Sequence, residues 1–236
     1  MSDIRAAEPP QGDLFAFSAE AYGHIAKRAV LMPAVLLLLV LTISNIVILL
    51  DASPPGAAPG LRLLAAAAAR IVGLLVLSVA LLRIAASSER PPYRIDGAFL
   101  LYIAGVALSL GLGVLLAFAL GEPTHPATIA LRSLVTTVLL APLAPWMVAI
   151  AVAVPLAWDA RRFVRDLRRW LPHLLLWSLL LVTPMAVLHA VIDVALLAGA
   201  GAWFWPAALF DGPLSTLMML TAYGLNVAAY RRVALS

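Results

Sequence analysis

Six apolar stretches, at residues 30–50, 61–86, 98–120, 128–158, 172–197 and 207–230, constrain this chain more than any other feature. Each reaches the ~20 residues with which an α-helix crosses a hydrocarbon core of ~30 Å. Backbone amides in hydrocarbon must be satisfied within the segment, so such stretches fold as helices. The expected fold is all-α, a polytopic membrane bundle of six transmembrane helices at 30–230. Residues 1–29 precede it and a short tail, 231–236, follows. With 64% hydrophobic residues and a mean hydropathy of +1.02, the chain needs the bilayer as solvent and has no room for a separate soluble catalytic domain.

Arginine placement orients the spans. Lys and Arg cluster before the first stretch (Arg5, Lys27, Arg28), between the second and third (Arg83, Arg90, Arg94), between the fourth and fifth (Arg161, Arg162, Arg165, Arg168, Arg169) and in the tail (Arg231, Arg232). The connections at 51–60, 121–127 and 198–206 hold none. Thirteen of the sixteen basic residues thus fall on one side. The positive-inside bias puts that side, with both termini, in the cytoplasm. The abundance of Arg and Ala fits a GC-rich bacterial genome, hence a bacterial cytoplasmic (inner) membrane. Residues 1–29 carry Asp3, Glu8, Asp13 and Glu20 and lack the apolar core of a cleaved signal peptide, so the first stretch is expected to serve as a retained signal-anchor.

The net charge of +4 lies beside the membrane, where it attracts anionic lipid heads and not nucleic acid. Anionic membrane lipids are the expected partners; self-association or a place in a membrane complex is left open. The absence of cysteine excludes thiol chemistry and disulfides.

Two flanking segments read as amphipathic. In 15–29 (FAFSAEAYGHIAKRA), Glu20, His24, Lys27 and Arg28 share one helical stripe and Phe15, Tyr22 and Ile25 another, as in a helix lying in the interface. In 159–171 (DARRFVRDLRRWL), Arg161, Arg162, Arg165, Arg168 and Arg169 are candidates for contact with lipid head groups, or simply a solvated positive anchor.

Ionisable groups inside spans are costly and mark sites. Arg70, Arg132, His189 and Asp193, with Asn45, all fall in the outer half; at 1.5 Å per residue Arg70 lies roughly 12 Å from the outer end of its stretch. A buried charge needs a partner, and Asp193 with Arg70 or Arg132 is the pairing expected from depth. This cluster is either interhelical glue or an anion or proton site facing outward. His189 and Asp193, four residues apart, lack an identifiable third metal ligand, so neither metal nor cofactor is expected. Gly105, Ser109 and Gly113 form a small-residue row expected to let helices approach closely. Pro142, Pro145, Pro155 and Pro184 should bend the fourth and fifth spans.

No nucleophile elbow, zinc-protease or phosphate-loop motif occurs, which points to a non-enzymatic structural, lipid-interacting or accessory role; the alternative is a small-solute transporter or permease subunit built on the polar cluster. The N-terminal AFSAEAYGHIAKRA, the proline-bearing LAPLAPWMVAIAVAVPLAW, the basic DARRFVRDLRRWLPHLLLWSLLL leading into the next span and the closing LNVAAYRRV carry a resemblance. In topology the chain resembles the YciC-like six-span bacterial inner-membrane proteins and, more distantly, the membrane domain of glycerophosphodiester phosphodiesterases. That resemblance implies an architecture; no catalytic residue is carried over from it.

Overall fold

The computed structural model describes residues 13–50, 60–120, 126–152, 159–197 and 201–234. The connections at 51–59, 121–125 and 198–200, together with Pro155, lie outside the described residues. The described residues form helices and their connections, without strands: α1 (Asp13–Ile25), α2 (Arg28–Leu50), α3 (Leu61–Ala85), α4 (Gly97–Leu120), α5 (Pro126–Leu140), α6 (Leu143–Val152), α7 (Ala160–Trp177), α8 (Thr183–Leu197) and α9 (Phe204–Ala234).

Helices α2, α3, α4 and the continuous rod Ala160–Leu196 are long and apolar enough to cross a membrane, and the bent pair α5–α6 makes a fifth candidate. Their outer faces are apolar: Leu108, Leu115 and Phe118 of α4 are exposed, as are Ile71 and Val72 of α3. Water would not tolerate so much exposed apolar surface, whereas lipid tails match it. The arrangement is compatible with a multi-pass membrane protein.

The sixth stretch forms α9, which is not among those apolar candidates. It packs against α1, α2, α3, α6, α7 and α8. Its surface therefore meets protein on most sides and admits Asp211, Ser215, Thr216 and Thr221, all buried. Two glycines permit the contact. A Cβ at Gly224 would stand 2.6 Å from the Ala21 carbonyl oxygen of α1, and one at Gly212 would run into Thr42 of α2. The expected close-packing row on α4 behaves differently. Gly113 has open space where a Cβ would go, Gly105 faces the flexible Met147 side chain, and the Ser109 hydroxyl donates to the Gly105 carbonyl at 3.0 Å. The small residues that bring backbones together thus lie on the central helix.

The basic end of the bundle is tied by polar contacts. Arg83, fully buried, donates to the carbonyls of Ala151 (2.9 Å), Pro91 (3.1 Å) and Arg94 (2.7 Å) and to the Asp96 carboxylate (2.8 Å). Asp96 also accepts from Arg90 and, at the start of α4, from the Phe99 amide. Lys27 donates to the Ala85 carbonyl and the Ser87 hydroxyl where the chain leaves α3. Residues that mark the topology in the sequence therefore also close the α3–α4 connection.

Helix α1 turns its polar stripe inward. Phe17, Ala21 and His24 are buried, Glu20 meets Arg232 of α9 at 2.8 Å, and Phe15 and Tyr22 are left exposed. The sequence pattern identifies two stripes but not the tail of α9 as partner of the polar one.

Prolines act in two ways. The α5–α6 pair breaks near Pro142 with a bend of 53°. At Pro184 the rod does not break. Ser178–Val182 forms a π-turn, and the Thr183 amide and hydroxyl both donate to the Ser178 carbonyl. That turn absorbs one residue. Phe163, Leu167 and Leu174 form the buried stripe of α7. At 100° per residue an unbroken α-helix would set His189 and Asp193 roughly 80° and 120° away from Phe163. With one residue absorbed, both return to that stripe, and Leu188 is exposed instead.

Candidate functional site

At the end opposite the arginine-rich segments, four helices contribute to one polar network. Asn45 of α2 sits between two charges: its Nδ2 donates to Asp211 Oδ2 of α9 at 2.5 Å, and its Oδ1 accepts from the Arg70 guanidinium of α3. The second oxygen of Asp211 lies 2.5 Å from His189 Nδ1 of α8. The Ser215 hydroxyl, one turn along α9, is 3.3 Å from the same nitrogen. On the other side of the ring, His189 Nε2 is 3.5 Å from Asp193 Oδ2.

Burial grades across this row. The Asp211 side chain is 1% exposed, His189 21% and Asp193 47%. A carboxylate as deeply buried as Asp211 is tolerated only when hydrogen-bonded and balanced by positive charge. Asn45 and His189 supply its hydrogen bonds. Arg70 reaches it only through the Asn45 amide, which passes a hydrogen bond from one charge to the other.

The expected pairing of Arg70 with Asp193 gives way to contact of Arg70 with Asn45, and Asp193 meets His189. Arg132 is not part of the network; depth placed it there, but α5 carries it to another face. Asp211 and Ser215 are the members that sequence reading missed. The available signal was a carboxylate inside the stretch 207–230. Asp211 also supplies the third acid or imidazole group that seemed lacking beside His189 and Asp193. Ser215 and Asp211 approach the same imidazole nitrogen, Nδ1, while Asp193 stands beside Nε2.

Arg132 lines a cavity of about 450 Å³ bounded by α4, α5 and α6 and closed by α3 and α9. The lining is apolar (Leu82, Val106, Leu110, Val114, Leu140, Met147) with polar groups at a few places: Ser109, Arg132 and Thr136, and Tyr102, Tyr223 and Asn226. Tyr223 shares a 2.5 Å hydrogen bond with Ser78. Arg132 has no partner among the described residues. Gly113, with no neighbour where its Cβ would be, helps to form the space.

The five arginines of α7 all lie on its exposed side, opposite Phe163 and Leu167. Asp159 caps the helix by accepting from the Arg162 amide. Asp166 approaches Arg165 at 3.0 Å and Arg162 at 3.6 Å, and the Arg165 guanidinium holds that carboxyl below its ordinary range. Arg169 lies over the Trp170 ring, whereas Arg161 and Arg168 have no carboxylate partner among the described residues.

No protein-family model, curated protein or solved structure matches this chain. The functional reading therefore rests on the geometry.

Proposed function

We propose that the chain is a non-enzymatic, lipid-binding protein of a bacterial inner membrane, with six spans and both termini in the cytoplasm. The observation that carries the reading is the cavity at Arg132. Its volume lies in the range of small-molecule sites, and it combines long apolar walls with one cation. That combination suits an amphipathic anion whose chain lies along α4 and α6 while its head group meets the guanidinium.

Other features support the same setting. Helix α9, at 31 residues and so about 46 Å long, is ample for a sixth span; its lower hydropathy follows from its central place. Phe15 and Tyr22 are exposed on α1, as on a helix resting in the interface. Arg161 and Arg168 on α7 are free to meet anionic head groups. The YciC-like resemblance agrees with this architecture. Transport of a small solute through the polar network is the second reading; the cavity at Arg132 is lined by none of Arg70, His189, Asp193 or Asp211.

The test is mass spectrometry of the intact protein released from detergent, with phosphatidylglycerol and phosphatidylethanolamine offered together. The wild type should retain the anionic lipid. Gly113→Leu, which fills the cavity, should lose it, and Arg132→Gln should lose the preference for the anion. Equal retention by all three proteins would overturn the reading. Reporter fusions should place 51–60, 121–127 and 198–206 outside and the tail inside.

A further inference from the structure

We propose that His189, Asp193 and Asp211 form a binding site for one divalent transition-metal ion, open on the Asp193 side. One nitrogen or oxygen from each residue can be chosen so that all three lie within 4.8 Å of one another. Ligand atoms at 2.0–2.2 Å from a tetrahedral zinc-class ion stand about 3.3–3.6 Å apart, so side-chain movements of about 1 Å complete the shell. An imidazole and two carboxylates, with a place left for water, make a donor set suited to such ions.

The surroundings are built as metal sites usually are. Asp211 lies 2.5 Å from Nδ1 of His189, where an ion would take the place of the shared proton, and Asp193 stands 3.5 Å from the same ring. Asn45 fixes the other oxygen of Asp211, so the buried acid cannot rotate away. Helix geometry contributes as well: the π-turn brings His189 and Asp193 onto the face that meets α9. The half-exposed Asp193 gives the ion a way in, while the buried Asp211 forms the floor.

A second, independent observation concerns charge. Among the described residues the fully buried Asp211 has no Arg or Lys in contact, and its countercharge falls to the His189 imidazole 2.5 Å away, since the nearby Arg70 is held by the Asn45 carbonyl. A buried charge is paired or coordinates a metal, and a divalent ion between the two would supply positive charge that a neutral imidazole lacks. Arg70 then acts on the site as a positive neighbour that weakens cation binding. The assignment is independent of the lipid cavity, which shares none of these residues.

The test uses the full chain without an affinity tag, stripped with EDTA in detergent and titrated with Co²⁺ and then Zn²⁺ alone. One Co²⁺ per chain should bind with a visible d–d absorption band, and one Zn²⁺ should displace it and raise the melting temperature. Asp193→Asn, at the half-exposed position, should weaken binding at least about tenfold while melting in EDTA as the wild type does. His189→Gln should abolish the band. Arg70→Gln should tighten binding, which a merely structural network would not do. No stoichiometric binding by the wild type, or equal binding by Asp193→Asn and His189→Gln, would overturn the site whatever the lipid experiment shows.

Discussion

Arg83 and Asp96 hold each other at 2.8 Å across the α3–α4 connection, with the Arg83 side chain sealed from solvent. Asp96→Asn leaves that guanidinium buried and uncompensated, a loss on the order of 3–5 kcal/mol. Burial alone would raise the Asp96 carboxyl, but hydrogen bonds from Phe99, Arg90 and Arg83 outweigh it and bring the value from 3.8 down to about 2. A depressed acid stabilises the fold above its unfolded value and ceases to do so as pH falls through its folded one. Thermal melts in detergent should therefore show an Asp96-dependent loss between about pH 4 and pH 2, absent in Asp96→Asn.

His24 also loses its contribution on acidification, at a higher pH. Burial holds its imidazole below the ordinary 6.5, Lys27 adds to the effect, and Glu20 works against it. The unfolded chain then takes up the proton first, so the contribution is full above pH 6.5 and lost as pH falls below it. Protection of the α1 amides, taken relative to their base-catalysed intrinsic exchange, should be weaker at pH 5.5 than at pH 7.5, and His24→Gln should flatten that difference. Unchanged protection across this range in the wild type would remove His24 from the α1–α9 contact.

Gly224 is where α1 comes nearest to α9. Gly224→Ala sets a methyl 2.6 Å from the Ala21 carbonyl, and the two backbones must separate. A loss of about 1–3 kcal/mol is expected, with faster proteolysis in 13–25. Gly113→Ala meets no atom within 4 Å and should melt within about 0.5 kcal/mol of the wild type.

Coupling in the polar network should follow its hydrogen bonds. Asn45→Leu and Asp211→Leu should be non-additive by about 0.5–3 kcal/mol in a double-mutant cycle, because each removes the other's partner. Arg70→Ala and Asp193→Ala, which do not touch, should come much closer to additive. Melting temperatures of the four single and two double variants decide both.

The spans were legible because a hydrocarbon core imposes a length, and lengths survive in a single sequence. Helices α2, α3 and α4 fall within a residue or two of stretches 30–50, 61–86 and 98–120. Contacts between distant segments were not legible. Arg132 and Arg70 lie at similar depth, yet the order of helices around the bundle separates them. Glu20 faces Arg232 from 212 residues away, which is why the polar stripe of α1 turned inward unannounced. Arg83 looked like one more cytoplasmic arginine because topology alone explains a basic residue there; its burial depends on the carbonyls of the 86–96 connection. Asp211 could have been read, being an acid within an apolar stretch.

The π-turn makes the polar network depend on a count. Deleting a single residue between 178 and 182 would restore an ordinary helix and leave every apolar stretch, every arginine and the number of spans as they were. It would also keep His189 and Asp193 facing Asp211, because the π-turn already takes up one residue; the same deletion between Pro184 and His189, with the π-turn retained, would turn both by about 100° and bring Ala190 toward Asp211 instead. Two proteins of this architecture can therefore look interchangeable in hydropathy and topology while only one carries the network. A one-residue gap in this helix, ordinarily dismissed when sequences are compared, tells them apart when it falls outside 178–182, where no π-turn takes it up.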